Sequence, residues 1–467
     1  MKYWRNALAD PWLVATCAFV LVAFGYMEYL AINNWMAGRW YLADVGNLQQ
    51  ALVNTLHGNF MWAPLVETNH YRYHFTPLLT ALAPLTLISD YPIPLVTVYT
   101  LALACCPLPL YRIAREAGLH GSLRFAVGFL FLTNHFVGSI QLAYHFETLF
   151  VLLMLCTIAF AHARSKWPVI LSAAGTLMVK EDAALWCGCF AVFLMFQREN
   201  QDRARGRWLL LASLGALAIG VGTVWYLGRG SDSNASFYLE RAGTLELSWT
   251  GLRSLDLLIV SAGGVCLLGG WSALLAAAPA IMLLSSYYFT QALTYYYSYP
   301  FIPFLFLALI NGTARLLRMI QRSRMQPGTA NCLLAIYLIC VGAVQFFLPT
   351  RTDDYVRLPA PVDPHALLRI HVARNVLPPD VPTVIQFGLW GVTPKRTEAW
   401  QFNEKNIQPG RYVFADLQSP YAMPTARYVE IMRDLMDEVA AGKRKLLYSK
   451  DEIFVVSPQT GSQANSQ

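Results

Sequence analysis

Apolar residues gather in long runs along the first three quarters of this chain, and short basic clusters punctuate them. The runs cover about 13–32, 92–114, 122–139, 148–163, 167–179, 183–196, 208–227, 252–268, 271–286, 300–314 and 329–348. A helix crossing a bilayer needs roughly 20 apolar residues, so the pattern predicts a polytopic α-helical membrane protein of about eleven transmembrane helices. The run 75–88 is short, is broken by Pro77 and Pro84, and follows a polar stretch. It reads as a juxtamembrane or re-entrant segment rather than a full crossing. The first run is too long for a cleavable signal and reads as a signal anchor.

Lys2 and Arg5 precede the first run. Arg112 with Arg115, Arg164 with Lys166, Arg198 with Arg203, Arg205 and Arg207, and Arg315 with Arg318, Arg322 and Arg324 close later ones. Basic residues favour the cytoplasmic side, so these clusters place the N-terminus in the cytoplasm, and an odd number of crossings puts the C-terminal region outside. The expected address is a prokaryotic cytoplasmic (inner) membrane, with the lipid bilayer itself as a partner.

From about Pro349 the long runs stop and charges and prolines rise. Residues 381–385 and 411–416 read as strands, 427–441 has helical periodicity, and 446–448 with 453–456 read as a hairpin. The expected organisation is therefore a transmembrane domain over 1–348, with a first outer loop and juxtamembrane segment at 33–90. A small extracytoplasmic α/β domain over 349–460 and a disordered tail at 461–467 follow. The strands carry no Gly-rich phosphate loop after them, which argues against a nucleotide site there.

Composition agrees with this division. The chain is 56% hydrophobic and 13% charged, with mean hydropathy +0.39, against roughly 25% charged in a soluble domain. The net charge of +7 sits in the clusters that set topology, without the basic–aromatic stripes of a nucleic-acid surface, and no nucleic-acid partner is expected. All nine cysteines lie inside apolar runs, with neither a disulfide framework nor zinc spacing.

On this topology the polar residues with chemistry collect on the outer face. Lys180, Glu181 and Asp182 sit back to back between two apolar runs. A charge at the bilayer centre costs on the order of 2.5–3.5 kcal/mol, so such groups lie at a membrane face or line a polar cavity. Lys180 can anchor a phosphate and the carboxylates can face a metal or an acceptor; a self-compensating charged turn is the alternative. Asp44 follows the first run as a candidate base or metal ligand, or as an ordinary helix cap. Arg72 and His74 stand in an aromatic–basic stretch that can bind phosphate or simply belt the interface. His145 and Glu147 open a helix and can form an acid–base pair. Tyr295, Tyr296 and Tyr297 can anchor the interface or stack on a sugar.

The segments Asp44-Val45-Gly46-Asn47-Leu48-Gln49-Gln50 with His57-Gly58, His74-Phe75-Thr76-Pro77, His145-Phe146-Glu147 and Lys180-Glu181-Asp182, in this order, resemble a prokaryotic family of predicted multi-pass membrane proteins grouped with the GT-C glycosyltransferase superfamily. Pro300-Phe301-Ile302-Pro303-Phe304 and the region opening on Leu377-Pro378-Pro379-Asp380 fit it too. The resemblance implies a GT-C-like fold and transfer of a sugar from a polyprenyl-phosphate carrier to an acceptor at the outer face. An acidic residue in the first outer loop is the usual base or metal ligand in such enzymes, and Asp44 occupies that place. The chain lacks a paired acid beside Asp44, so a divalent metal ion stays an open question and the cofactor unknown.

The expected roles are thus Asp44 as base, with Glu147 and Glu181 as further catalytic candidates. Arg72, His74 and Lys180 are expected at the lipid phosphate, and His145, Asp182, Tyr295 and Tyr297 at the substrate. A transporter or flippase is the alternative, since intramembrane carboxylates suit a proton relay, though the chain lacks the internal repeat of many transporters. A scaffold or sensor with an outer binding domain is a third. The sugar and the acceptor are not named by the sequence.

Overall fold

A computed structural model describes residues 10–39, 43–163, 165–197, 199–229, 248–284, 288–322, 325–350, 356–418 and 425–459. Lys2, Arg5, Arg164, Arg198, Arg324 and the tail 461–467 lie outside these described residues. The chain divides into two compact units, one of Met1–Tyr29, Arg72–Leu78 and Val98–Leu358, the other of Leu30–Tyr71, Leu79–Thr97 and Pro359–Gln467.

The first unit is helical. Each apolar run carries helix, but the number of crossings does not reach about eleven on length and composition. Among the described residues five helices are long and apolar enough to span a membrane: Pro11–Met36, Ile93–Glu116, Asn200–Leu227, Ile302–Arg322 and Pro327–Phe346. A sixth is reached if Gly121–Thr133 and His135–Ala143, bent by 50° at their junction, count as one. Thr148–Phe160, Trp167–Leu177 and Ala183–Met195 are apolar but shorter. The run 75–88 holds only the short helices Pro77–Ala81 and Ala83–Leu87.

The bend has a local cause. The Asn134 side chain accepts hydrogen bonds from the Phe136 and Val137 amides, which starts a new helix where the old one stops. Arg357, 1% exposed, donates to the carbonyls of Leu132, Thr133 and Asn134. Leu132 and Thr133 end their helix, where carbonyls lack an intrahelical partner, so a cation there satisfies them and complements the helix dipole; the Asn134 carbonyl also accepts from the Gly138 amide of the next helix. Gly138 makes the space, because a methyl in its place would lie 2.6 Å from Arg357 Nε. Glycine serves close packing elsewhere in the unit too. A Cβ on Gly206 would fall 2.7 Å from the Ala191 carbonyl oxygen, where the Asn200–Leu227 and Ala183–Met195 helices meet.

The second unit contains the Ala43–Leu56 helix, a short hairpin of β1 (Trp62–Ala63) with β2 (Thr68–Asn69), and a five-stranded sheet. The sheet comprises β3 (Thr383–Ile385), β4 (Ala399–Gln401), β5 (Tyr412–Asp416), β6 (Leu446–Lys450) and β7 (Ile453–Val456). Its order is β4-β3-β5-β7-β6, with β3 parallel to β4 and β5, and β7 antiparallel to β5 and β6. Successive strand residues face opposite sides. Ile385, Phe414 and Val455 therefore join Val372 of the Pro364–Asn375 helix in one core. Val384, Val413 and Val456 join Tyr428, Ile431 and Leu435 of the Thr425–Ala440 helix in another.

Candidate functional site

Within the first unit, three turns bring together most of the residues singled out in the sequence. The His135–Ala143 helix ends at Tyr144, whose φ of 49° turns the chain into His145-Phe146-Glu147 before the Thr148–Phe160 helix begins. The Trp167–Leu177 and Ala183–Met195 helices are joined through Lys180, Glu181 and Asp182. The Leu78 amide donates to the Met178 carbonyl at 2.9 Å, tying the segment around His74 to that same turn.

Glu147 is fully buried, and both its oxygens are used. Lys180 Nζ donates to Oε1 at 3.1 Å, and His145 Nδ1 bonds Oε2. An ionised carboxylate only accepts, so this contact puts the ring proton on Nδ1. The ring is held from its flat side as well, stacked on Tyr296 with centroids 4.1 Å apart and planes at 8°. Tyr296 in turn stacks on Tyr297 at 4.7 Å. A buried lysine and a buried carboxylate are thus mutually compensated.

Glu181 is clamped from the other segment. His74 Nδ1 lies 3.0 Å from its Oε1, and the Phe75 amide donates to Oε2 at 2.8 Å. Burial works to raise this carboxyl, but the charge and hydrogen bond of His74 and the charge of Lys180 outweigh it, and it is held below the usual carboxylate range. Gly220 of the Asn200–Leu227 helix comes up against it, so that a Cβ there would stand 3.0 Å from the Glu181 Cβ.

Asp182 accepts from the Tyr299 hydroxyl and, at 3.4 Å, from Trp186 Nε1, both at Oδ2. Its Oδ1 is buried and takes no hydrogen bond from the described residues. Arg72 closes the short helix His70–Arg72, is half-buried, and forms no hydrogen bond or ion pair with the described residues. Tyr295 adopts a left-handed φ of 51° beside Tyr296 and Tyr297.

Tyr299 and the Phe75 amide were not singled out by the sequence. Tyr299 belongs to an aromatic run that resembles an interface belt, and a backbone amide leaves no trace in residue identity. Glu181 and its partner His74 are 107 positions apart, a pairing that no local pattern carries.

Asp44 belongs to the second unit. It sits in the first turn of the Ala43–Leu56 helix and is partly exposed. Burial of its carboxyl raises its pKa to about 6. The helix is fixed within its unit by Gln50, which donates to the Arg396 carbonyl and accepts from the Arg396 amide, and by Asn47, which accepts from the Leu65 amide at 3.0 Å. Gly46 abuts Trp390, whose carbonyl oxygen would lie 2.4 Å from an added Cβ. Among the described residues no group of three or more His, Cys, Asp or Glu is arranged to hold a metal ion.

A family described as "Predicted membrane protein (DUF2079)" matches residues 43–378. The chain belongs to this DUF2079 family. The match takes in all the site segments from Asp44 to the tyrosines, and it bears out the resemblance drawn from those motifs. No curated protein matches the chain. Among solved structures, this DUF2079 chain is similar to ArnT from Cupriavidus metallidurans bound to undecaprenyl phosphate, with a TM-score of 0.52 at 12% identity, over 98% of this chain and 100% of that one. The fold is therefore ArnT-like, a multi-pass helical membrane fold. At that identity the likeness concerns fold alone.

Proposed function

We propose that this DUF2079 protein is a membrane glycosyltransferase that moves a sugar from a polyprenyl-phosphate carrier to an acceptor at the outer face of the inner membrane. The observation that carries the reading is the polar cluster of Glu147, Lys180, Glu181, Asp182, His74 and His145, gathered by turns between apolar helices in a chain whose fold is like that of a protein captured with undecaprenyl phosphate.

In the proposed reaction the acceptor oxygen attacks the anomeric carbon with inversion. The bond from that carbon to the phosphate oxygen breaks, its electron pair leaves with the carrier phosphate, and the acceptor proton goes to a carboxylate. Asp44 is the proposed base. A pKa near 6 leaves its carboxylate largely ionised at neutral pH and basic enough to take a proton. Arg72, with no ion-pair partner among the described residues, is the first choice for the departing phosphate, with Lys180 and His74 of the same unit as further candidates. Asp182 Oδ1, buried and unused, suits a sugar hydroxyl. Glu147 and Glu181 have their oxygens engaged by cations and amides, which favours positioning over direct proton transfer.

The test is transfer from an undecaprenyl-phosphate-linked sugar by the full chain reconstituted in vesicles. Asp44→Asn is expected to lower the rate on the order of 10²–10⁴-fold, the worth of a general base. Undiminished transfer would remove Asp44 from the chemistry. Movement of the labelled lipid or sugar across the vesicle membrane without covalent product would favour transport instead.

A further inference from the structure

Away from that cluster, the first unit has a cleft of about 950 Å³ between the Trp249–Ser261 helix and the candidate span Pro327–Phe346. Its two walls are pinned to each other by hydrogen bonds. Gln345 Nε2 donates to the Ser261 carbonyl at 2.8 Å, and the Tyr337 hydroxyl donates to the Gly263 carbonyl at 2.8 Å. Val260, Tyr337 and Val344 line it and are exposed, as expected of a wall facing lipid.

One charged residue enters this apolar setting. Arg253 lines the cleft, is exposed, and has no hydrogen-bond or ion-pair partner among the described residues, its neighbour Asp256 included. Trp249, 79% exposed, lies four residues earlier on the same helix, about one turn away. An exposed tryptophan at a helix end suits the headgroup level of a membrane. This sets Arg253 about a turn deeper, at the mouth of a slot that runs on into apolar surface. An arginine that only snorkels to the interface requires no cavity behind it; here there is one, open along the lipid-facing side.

We infer that this cleft holds one anionic phospholipid of the surrounding membrane, its phosphate on Arg253 and its chains along Val260, Tyr337 and Val344. The occupant must combine a negative head with an apolar body, and the abundant molecule with that chemistry beside an open lipid-facing slot is membrane phospholipid. The inference does not depend on transferase activity.

The experiment is native mass spectrometry of the full chain, extracted in mild detergent from vesicles of equal phosphatidylglycerol and phosphatidylcholine. Phosphatidylglycerol is expected to be retained in preference. Arg253→Gln should cut that retention about fivefold, the worth of one basic residue at an anionic surface, while Arg253→Lys keeps most of it. Val344→Trp, which fills the slot without touching the charge, should also release the lipid. Equal retention of the two lipids, or full retention by Arg253→Gln, would overturn the assignment. Displacement of phosphatidylglycerol by added undecaprenyl phosphate in an Arg253-dependent way would overturn it too, by making the isoprenoid carrier the occupant.

Discussion

Removing the Glu147 carboxylate would take from Lys180, 7% exposed, the counter-ion 3.1 Å away. Breaking one side of a buried pair costs about 3–5 kcal/mol, much of it the stranded charge. Glu147→Gln and Lys180→Met are each expected to destabilise the protein by about that much, and the double variant by much less than the sum, since no charge is then left behind. Denaturation in detergent micelles measures the cycle, and additive losses would show that the two groups do not depend on each other. Asp44 behaves differently because burial alone shifts it. The unfolded chain releases this proton near pH 4, while the folded chain keeps it to about 6. The proton's contribution to stability is therefore fully present below about pH 4 and lost as pH rises through about 6, by about 3 kcal/mol before its partial exposure trims the figure. Asp44→Asn should flatten that part of the stability curve. If Asp44 is the base, transfer should instead rise with pH through about 6 and level off above it, and a flat rate from pH 5 to 7 would count against the role.

At the scale of elements, helices were legible because burial in lipid demands long apolar runs, and each run did become helix. Crossing number was not, since Thr148–Phe160, Trp167–Leu177 and Ala183–Met195 are shorter than a bilayer and composition does not say how such pieces combine. The β3, β5, β6 and β7 strands were legible as short apolar stretches set off by turn and charged residues in the C-terminal region. β4 is as short as β3, but its Ala-Trp-Gln lacks the β-branched residues that mark Thr-Val-Ile as a strand. The site was half legible: residue types at turns between apolar runs marked Lys180, Glu181, Asp182 and His145, but not which of them touch. Gly220 shows how an element enforces such a contact from afar in sequence. Its missing side chain lets the Asn200–Leu227 helix meet the Glu181 turn. Gly220→Val should push that turn away from His74 at a cost of roughly 1–3 kcal/mol for overpacking, and should lower transfer more than it lowers stability. Gly215, on the same helix with open space at its Cβ, is the control position where valine should do neither.

For the molecule as a whole, the informative fact is that Leu30–Tyr71 clusters with Pro359–Gln467 rather than with the helices that flank it in sequence. The contacts responsible are specific: Asn33 exchanges hydrogen bonds with the backbone of Ala360, Gln50 with that of Arg396, Trp35 Nε1 reaches the Gly391 carbonyl at 3.2 Å, and Gly46 lies against Trp390. The helix bearing Asp44 therefore rests on the C-terminal region, so deleting that region is a poor way to separate an enzyme from a scaffold: it would silence both. A chain truncated after Leu358 should lose protection of residues 43–71, because buried Asn33 and Gln50 lose their Ala360 and Arg396 partners and each orphaned polar group costs about 1–3 kcal/mol. Limited proteolysis of the truncated and full chains in micelles reads this directly. Unchanged protection of 43–71 would mean that the Asp44 helix stands without the sheet, and only then would loss of transfer on truncation speak for a catalytic part played by the C-terminal region itself.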